Sequence, residues 1–382
     1  MSNATDSLRF GSGQAIQRVE DRALVTGAGE FTDDVAPPGA LHLAFLRSPH
    51  PHALIRGIDA ASAAAMPGVV AVYTGAQLVE AGVKALPVAV PFKRADGNPV
   101  ATAPRRALAH ERVRYVGEPV AMVLATDREA ARAAADAVWV DYEDLPAVTD
   151  AVAAMRRDAP RVLESAPDNV VAVARHGDAA AARAAFDRAA VRVSVDIVNQ
   201  RLAPTPLEPR AVLAEPDPAT GRLRIRLSSQ MPTAVRDGVA NALGLDVAAV
   251  RVVVGDVGGG LGMKTGVYPE DVAVAFAARA LGRPVRWRAD RIEEFLAATH
   301  GRDVVSQAEL ALDAAGKALA LRVRAVANTG AYANGTAILI PLLIGPWVST
   351  SIYDIPLIDF DLRAVATHTG TVGAYRGAGR PE

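Results

Sequence analysis

Cysteine is absent from all 382 residues. That excludes disulfides, thiolate-bound zinc and iron–sulfur clusters held by this chain, and it fits a reducing, cytoplasmic setting. Aromatic residues make up only 5% and the formal net charge is −1. Neither base stacking nor a global field therefore points to nucleic acid. No stretch approaches the ~18 apolar residues of a membrane span. The apolar segment Thr336 to Trp347 is broken by Pro341, Gly345 and Pro346 and is expected to be a buried loop or strand pair. Residues 1–13 are polar with no apolar centre. They do not read as a secretory signal, and a disordered lead-in is expected there.

What is present suggests two or three domains. Leu41 to Leu46, Val69 to Tyr73, Pro119 to Ala125 and Val138 to Tyr142 read as strands. Asp127 is placed to cap a helix over Arg128 to Ala137. These elements predict an α+β domain over residues 14–150. Asp150 to Asp178 reads as a loop-rich crossing, followed by a short alanine-rich helix from Ala179. Residues 151–382 read as a second domain. In it, Leu223, Ile225 and Leu227 alternate with arginines as a strand with one wet face. A helix from Pro232 should stop at Gly244. Asp290 and Glu293 form a cap signature, and Ala308 to Leu312 with Ala318 to Ala327 form an antiparallel pair.

Within that second domain, Val250 to Val254 lead as a strand into Asp256-Val257-Gly258-Gly259-Gly260-Leu261-Gly262-Met263-Lys264. Pro269-Glu270-Asp271 then opens a helix that should end at Gly282. Four glycines in the five residues 258–262 free the backbone to aim N–H groups at an anion or an oxo group. The alternative is a tight turn that only avoids clashes. Two phosphate-loop patterns fail. Met263, not glycine, precedes Lys264-Thr265, and Thr265 stands where the dinucleotide fingerprint needs a third glycine. Gln230 ends another strand, and Tyr375-Arg376-Gly377 is a glycine-flanked arginine. Together these three segments can bring an amide, converging N–H groups and a fixed cation to one pocket. Ser48 to His52 reads as a loop; on a strand His50 and His52 would share a face, but no carboxylate or third metal ligand lies near them in sequence.

Taken in order, several motifs resemble the molybdenum-binding large subunit of the xanthine dehydrogenase/aldehyde oxidase family, and most closely its bacterial members related to carbon monoxide dehydrogenase. Arg18-Val19-Glu20-Asp21, Gly29 to Asp34, Ser48-Pro49, Val116 to Val120 and Val140 to Pro146 are similar to the family's hammerhead domain. Leu207-Glu208-Pro209-Arg210, Ser229-Gln230, the loop 258–264 and Tyr375-Arg376-Gly377 are similar to its first molybdopterin-binding α/β domain.

The resemblance implies a molybdopterin cofactor carrying molybdenum, in the cytosine dinucleotide form, with no protein side chain ligating the metal. Gln230 and the backbone at Leu261 would lie near molybdenum, and Gly259, Gly260 and Gly262 would contact the cofactor. Arg376 would act on the substrate, and Thr265 would line its pocket. The implied reaction is hydroxylation of an aldehyde or N-heterocycle with oxygen from water. Electrons would leave through a small iron–sulfur subunit and an FAD subunit. Departures narrow this reading. Leu261 replaces the usual phenylalanine, and Thr265 replaces the glutamate of purine-oxidising members. Gly377 replaces the cysteine that carbon monoxide dehydrogenase places beside its arginine. The family's second cofactor domain and catalytic carboxylate would belong to a carboxy-terminal half beyond Glu382, without which this chain is expected to be inactive. The alternatives are a non-catalytic module that keeps the fold without the cofactor, and a phosphate-ligand binder that uses the glycine loop alone.

Overall fold

Pro119–Ala125 is buried at every position, as expected for a central strand covered on both faces. The computed structural model describes residues 15–88 and 90–382; the disordered lead-in expected over 1–13 lies outside them. The strand belongs to a seven-stranded sheet in the order Val250–Val253, Arg222–Leu227, Ala211–Asp217, Val285–Arg288, Leu41–Arg47, Pro119–Ala125, Val69–Thr74. Strands from either side of residue 150 thus share one sheet. Their seam is a parallel pairing in which Leu41 meets Val285, both fully buried. A five-stranded sheet runs Val170–Gly177, Ile358–Ala366, Ala318–Gly330, Val304–Leu312, Val191–Asn199, and a three-stranded sheet runs Arg112–Val113, Ala53–Asp59, Trp139–Asp144.

Local signals in the sequence account for the main helices. Asp127 accepts a hydrogen bond from the Ala130 amide at the start of Arg128–Asp136. The Asp290 carboxylate accepts one from Glu293 at the start of Arg291–Ala297. Pro232–Leu243 and Pro269–Leu281 both begin on proline and end on left-handed glycines, Gly244 and Gly282, which carry no Cβ to clash. These two helices bury Val235, Val239, Val272 and Ala275 against Leu223, Ile225 and Leu227 of the seven-stranded sheet. The arginines that alternate along Arg222–Leu227 take the more open face, as the sequence indicates.

Two segments differ from expectation. Thr336 to Trp347 is helical: Gly335–Leu339, a wide π turn over Ile340–Ile344, then Gly345–Val348. Asn334 caps the first piece by accepting from the Ala337 amide at 2.8 Å. Pro341 and Pro346 each fall in the first turn of the piece that follows, where a missing N–H costs least. Ile338 and Leu342 are fully buried, which holds the segment against the five-stranded sheet. The crossing expected over 150–178 is also more ordered than a loop. It contains the helix Ala151–Ala154 and the strand Val170–Gly177. Buried Asn169 sits at φ +56 and ties the connection together. Its side chain bonds the Val162 amide at 2.8 Å and the carbonyls of Ala154 and Pro160, each at 2.9 Å.

Candidate cofactor site

The glycine loop leaves the sheet at Val253 and enters helix Pro269–Leu281. Gly259 and Gly262 have φ of +96° and +90°, and Leu261, with a side chain, has φ of +53°. A left-handed non-glycine residue costs on the order of 1–3 kcal/mol and persists only where its surroundings over-determine it. The contacts that hold this one are all present. The Gly262 amide donates to Gln230 Oε1 at 2.8 Å, and the Gln230 amide donates to the Lys264 carbonyl at 2.9 Å. Thr265 Oγ1 donates to the Gly262 carbonyl at 2.7 Å, and the Arg376 amide donates to the Leu261 carbonyl at 3.0 Å. The structure therefore brings Gln230, Gly259 to Gly262, Thr265 and Arg376 together, although they are spread over nearly 150 positions of chain.

Glycine is required here by space as much as by φ. A Cβ on Gly260 would overlap the Gln230 amide, and one on Gly262 would lie 2.7 Å from the Ala374 carbonyl oxygen. Because Gln230 Oε1 accepts from Gly262, the orientation of the amide is set and its NH₂ group is turned away from that bond. The side-chain NH₂ of Gln230 has no hydrogen-bond partner among the described residues.

Beneath the loop lies a charged lock. Glu208 Oε2 accepts from Lys264 Nζ at 2.9 Å, from Ser228 Oγ at 2.6 Å and from the Gly258 amide at 2.8 Å. Lys264 Nζ also donates to Ser228 Oγ at 2.8 Å. Burial pushes the Lys264 pKa down, and Glu208 works against that. Arg210 lies only two residues from Glu208, yet the two do not pair. Glu208 is ion-paired, but with Lys264. Arg210 instead joins Glu294 at 2.7 Å and Glu270 at 3.1 Å, carboxylates that two distant helices bring to it.

The Arg210 network is dry and crosses the sheet seam. Arg47 bonds the same Glu270 at 2.9 Å and Glu293 at 2.7 Å. Burial would raise the Glu270 carboxyl, but Arg210 and Arg47 outweigh it and hold it at about 2. A helix-start position ordinarily favours an ionised carboxylate, but neighbouring Asp271 departs from this. Burial instead pushes it to about 7, against the hydrogen bond it accepts from the Tyr268 amide. Asp256 holds its surroundings in another way, accepting from the Glu30 amide at 2.7 Å.

Arg376 is fixed through its backbone. Arg302 donates to the carbonyls of Tyr375 at 3.1 Å and Arg376 at 2.7 Å, and pairs with Glu382 at 2.8 Å. The Arg376 side chain itself is exposed. Thr265 lies on the other side of the loop, in the wall of a cavity of about 710 Å³ shared with Met231, Tyr268, Thr299, Asn334 and Arg105. His50 and His52 do not act as a pair. His50 Nδ1 meets Asp144 at 2.6 Å, while the His52 ring stacks on His368 with centroids 4.1 Å apart. Among the described residues no group of three or more His, Cys, Asp or Glu side chains is placed to hold a metal ion. Of the lock residues, Glu208 and Lys264 were visible in the sequence as parts of motifs and Ser228 was not, and nothing in their spacing showed that they meet.

The profile described as "Molybdopterin cofactor-binding domain" matches residues 162–382, which contain Gln230, the glycine loop, Thr265, Arg376 and the Glu208–Ser228–Lys264 lock, and the profile "Aldehyde oxidase and xanthine dehydrogenase, a/b hammerhead domain" matches residues 26–146. The chain belongs to the xanthine dehydrogenase and aldehyde oxidase family. Its relatives include the nicotine 6-hydroxylase large subunit of Paenarthrobacter nicotinovorans, 35% identical over 96% of this chain and 44% of the relative. The carbon monoxide dehydrogenase large chain of Hydrogenophaga pseudoflava is 35% identical over 94% and 45%. Quinoline 2-oxidoreductase from Pseudomonas putida 86 superimposes with a TM-score of 0.88 at 37% identity, covering 95% of this chain and 45% of that one. The chain thus spans less than half the length of these family members, and its α+β architecture is that of a hammerhead domain joined to a molybdopterin-binding domain.

Proposed function

We propose that Gln230, Gly259, Gly260, Leu261 and Gly262 form one wall of the molybdenum-cofactor site of a hydroxylase that oxidises an aldehyde or N-heterocycle with oxygen from water. The observation that carries this reading is the convergence of the Gln230 amide and the left-handed glycine loop, with the Arg376 backbone hydrogen-bonded to Leu261. The donor set suits molybdopterin. It offers backbone N–H groups and an amide NH₂ in place of metal-ligating side chains, and the close approach at Gly260 leaves no room for a Cβ. When bound, the cofactor, of the cytosine dinucleotide form, supplies a two-electron redox centre whose dithiolene sulfurs carry the metal.

This chain's residues then orient and exclude. Gln230 donates its free NH₂ toward the centre, and the Glu208–Lys264–Ser228 lock keeps the loop from relaxing. Thr265 shapes the neighbouring cavity, and the exposed, permanently charged Arg376 guanidinium holds a carbonyl or ring nitrogen of the substrate. Gly377 after Arg376 argues against carbon monoxide as the substrate, and relatives named for nicotine and quinoline support an N-heterocycle as one candidate class. The working assembly adds a carboxy-terminal half that carries the catalytic base, a small iron–sulfur subunit and an FAD subunit. The division between the hammerhead and cofactor domains falls near residue 150.

The test is to assemble the enzyme from these parts and follow molybdenum content and dye reduction with quinoline and an aromatic aldehyde. The complete assembly should hold near-stoichiometric molybdenum and turn over, whereas the chain alone should hold little and show no hydroxylation. Gln230→Ala should lower turnover by ~10²-fold or more, as for loss of a positioned donor in a dry site. A complete assembly without molybdenum would point to a non-catalytic module, and unchanged turnover in Gln230→Ala would remove that residue from the site.

A further inference from the structure

The cavity of about 710 Å³ beside Thr265 is walled mainly by apolar side chains, among them Leu86, Val88, Val90, Met231 and Leu339. One cation interrupts that wall. Arg105 is only 8% exposed, its Nε is buried with no hydrogen-bond partner, and it faces the cavity. It makes no ion pair among the described residues. The nearby carboxylates are committed elsewhere. Asp271 caps the Tyr268 amide at 2.8 Å and is pushed up to about 7. Glu118 accepts from the Tyr332 hydroxyl and the Arg114 amide, each at 2.6 Å. The other charged group in the cavity wall, Asp237, is paired with Arg236 at 2.8 Å. Arg105 has only a partial consolation, the Tyr268 ring, 5.8 Å from its Cζ. That ring is already approached by Arg210 at 4.0 Å.

A buried guanidinium that no carboxylate contacts directly is incompletely satisfied unless an anion completes it. Its planar fork of donors matches a carboxylate in bidentate fashion. A small apolar cavity with a single well-placed cation orients a ligand by its one charge and packs the rest of its surface. We infer that Arg105 is a specificity-determining residue that recognises a carboxylate on the substrate, so the enzyme acts on anionic, carboxylate-bearing aldehydes or N-heterocycles in preference to neutral ones. This rests on the cofactor reading above, in which Thr265 shapes the cavity beside the cofactor. It goes beyond that reading by naming the charge of the substrate and the residue that selects it. The same cation could also receive a phosphate of the cofactor, and the test separates the two.

The experiment compares nicotinate with nicotinamide, which share shape but differ in charge. Affinity is measured by calorimetry on the full chain and on the assembled enzyme, together with kcat/KM for both compounds on the assembled enzyme. Nicotinate should bind at least tenfold more tightly than nicotinamide to the native protein. Arg105→Gln should erase that preference, and Arg105→Lys should keep part of it. Molybdenum and cytidine monophosphate content should be unchanged in Arg105→Gln. Equal affinity for the two probes in the native protein would overturn the inference, as would a preference that survives Arg105→Gln. Cofactor loss from Arg105→Gln, or displacement of bound cofactor by inorganic phosphate, would assign Arg105 to the cofactor and overturn it as well. Because the calorimetry on the chain needs no metal, an assembly without molybdenum would defeat the cofactor reading while leaving the charge preference measurable. Thermal melting supplies the folding control. An unpartnered cation contributes little to the fold, so Arg105→Gln should melt no lower than the native chain, whereas a structural arginine would give a lower melting temperature.

Discussion

At the scale of single residues, the site is built from exclusions of side-chain volume. Gly260 has no Cβ because the Gln230 amide occupies that space, and the same amide oxygen is the acceptor that holds Gly262. Gly260→Ala should therefore displace Gln230, release the Gly262 N–H and lower the molybdenum content of the assembled enzyme, while circular dichroism of the chain stays native. Metal content equal to that of the unsubstituted protein would reduce the loop to a plain turn. The glycine spacing and Gln230 were legible because strand-to-helix handovers are marked by local residues. Arg105 was not legible, because an arginine in Pro104-Arg105-Arg106 looks like any solvated cation until the fold buries it.

At the scale of elements, helix Pro269–Leu281 shows how a local signal acquires a tertiary role. Its proline start and glycine stop could be read directly from the sequence. What the sequence did not show is that its first turn is buried and that Glu270 is shared between Arg47 of one region and Arg210 of the other. Removing one member of a buried ion network leaves its partners uncompensated and typically costs about 3–5 kcal/mol. Glu270→Ala should shift the urea midpoint accordingly, with both sequence regions unfolding in one transition. A loss below about 1 kcal/mol would mean that water reaches the network and screens it. The segment 336–347 carries the opposite lesson. Its prolines suggested a broken loop, yet each falls in a first helical turn, where proline is tolerated.

Across the whole molecule, buried titratable groups pull stability in opposite directions with pH. Burial, with His52 and Arg114 adding to it, lowers His368 from 6.5 to about 3. Its contribution is fully present above pH 6.5 and is lost as pH falls below that value. Burial raises Asp271 from 3.8 to about 7. The folded state then holds a proton the unfolded chain releases, so this contribution falls as pH rises from about 4 to 7. Asp271→Asn keeps a side-chain acceptor for the Tyr268 amide but cannot titrate. Between pH 4.5 and 6.5 its stability relative to the native protein should therefore increase by about 1.4 kcal/mol for each pH unit. Urea unfolding of both proteins at four pH values measures this directly. A difference independent of pH would show that Asp271 ionises normally.

The sequence by itself determined the α+β content, the main caps and stops, the glycine loop with Gln230 and Tyr375-Arg376-Gly377 as candidate segments, and the family to which they belong. These are set by local chemistry: a proline or glycine fixes φ within a few residues, and a motif keeps its spacing whatever surrounds it. Only the tertiary structure decided that one sheet runs unbroken through the seam of Leu41 with Val285. It also decided that Glu208 pairs with Lys264 while Arg210 turns to Glu270 and Glu294. Arg105 faces an apolar cavity without a direct ion pair among the described residues for the same kind of reason. Partner choice depends on which distant segment arrives at each side chain, and burial then sets the energy of the charge.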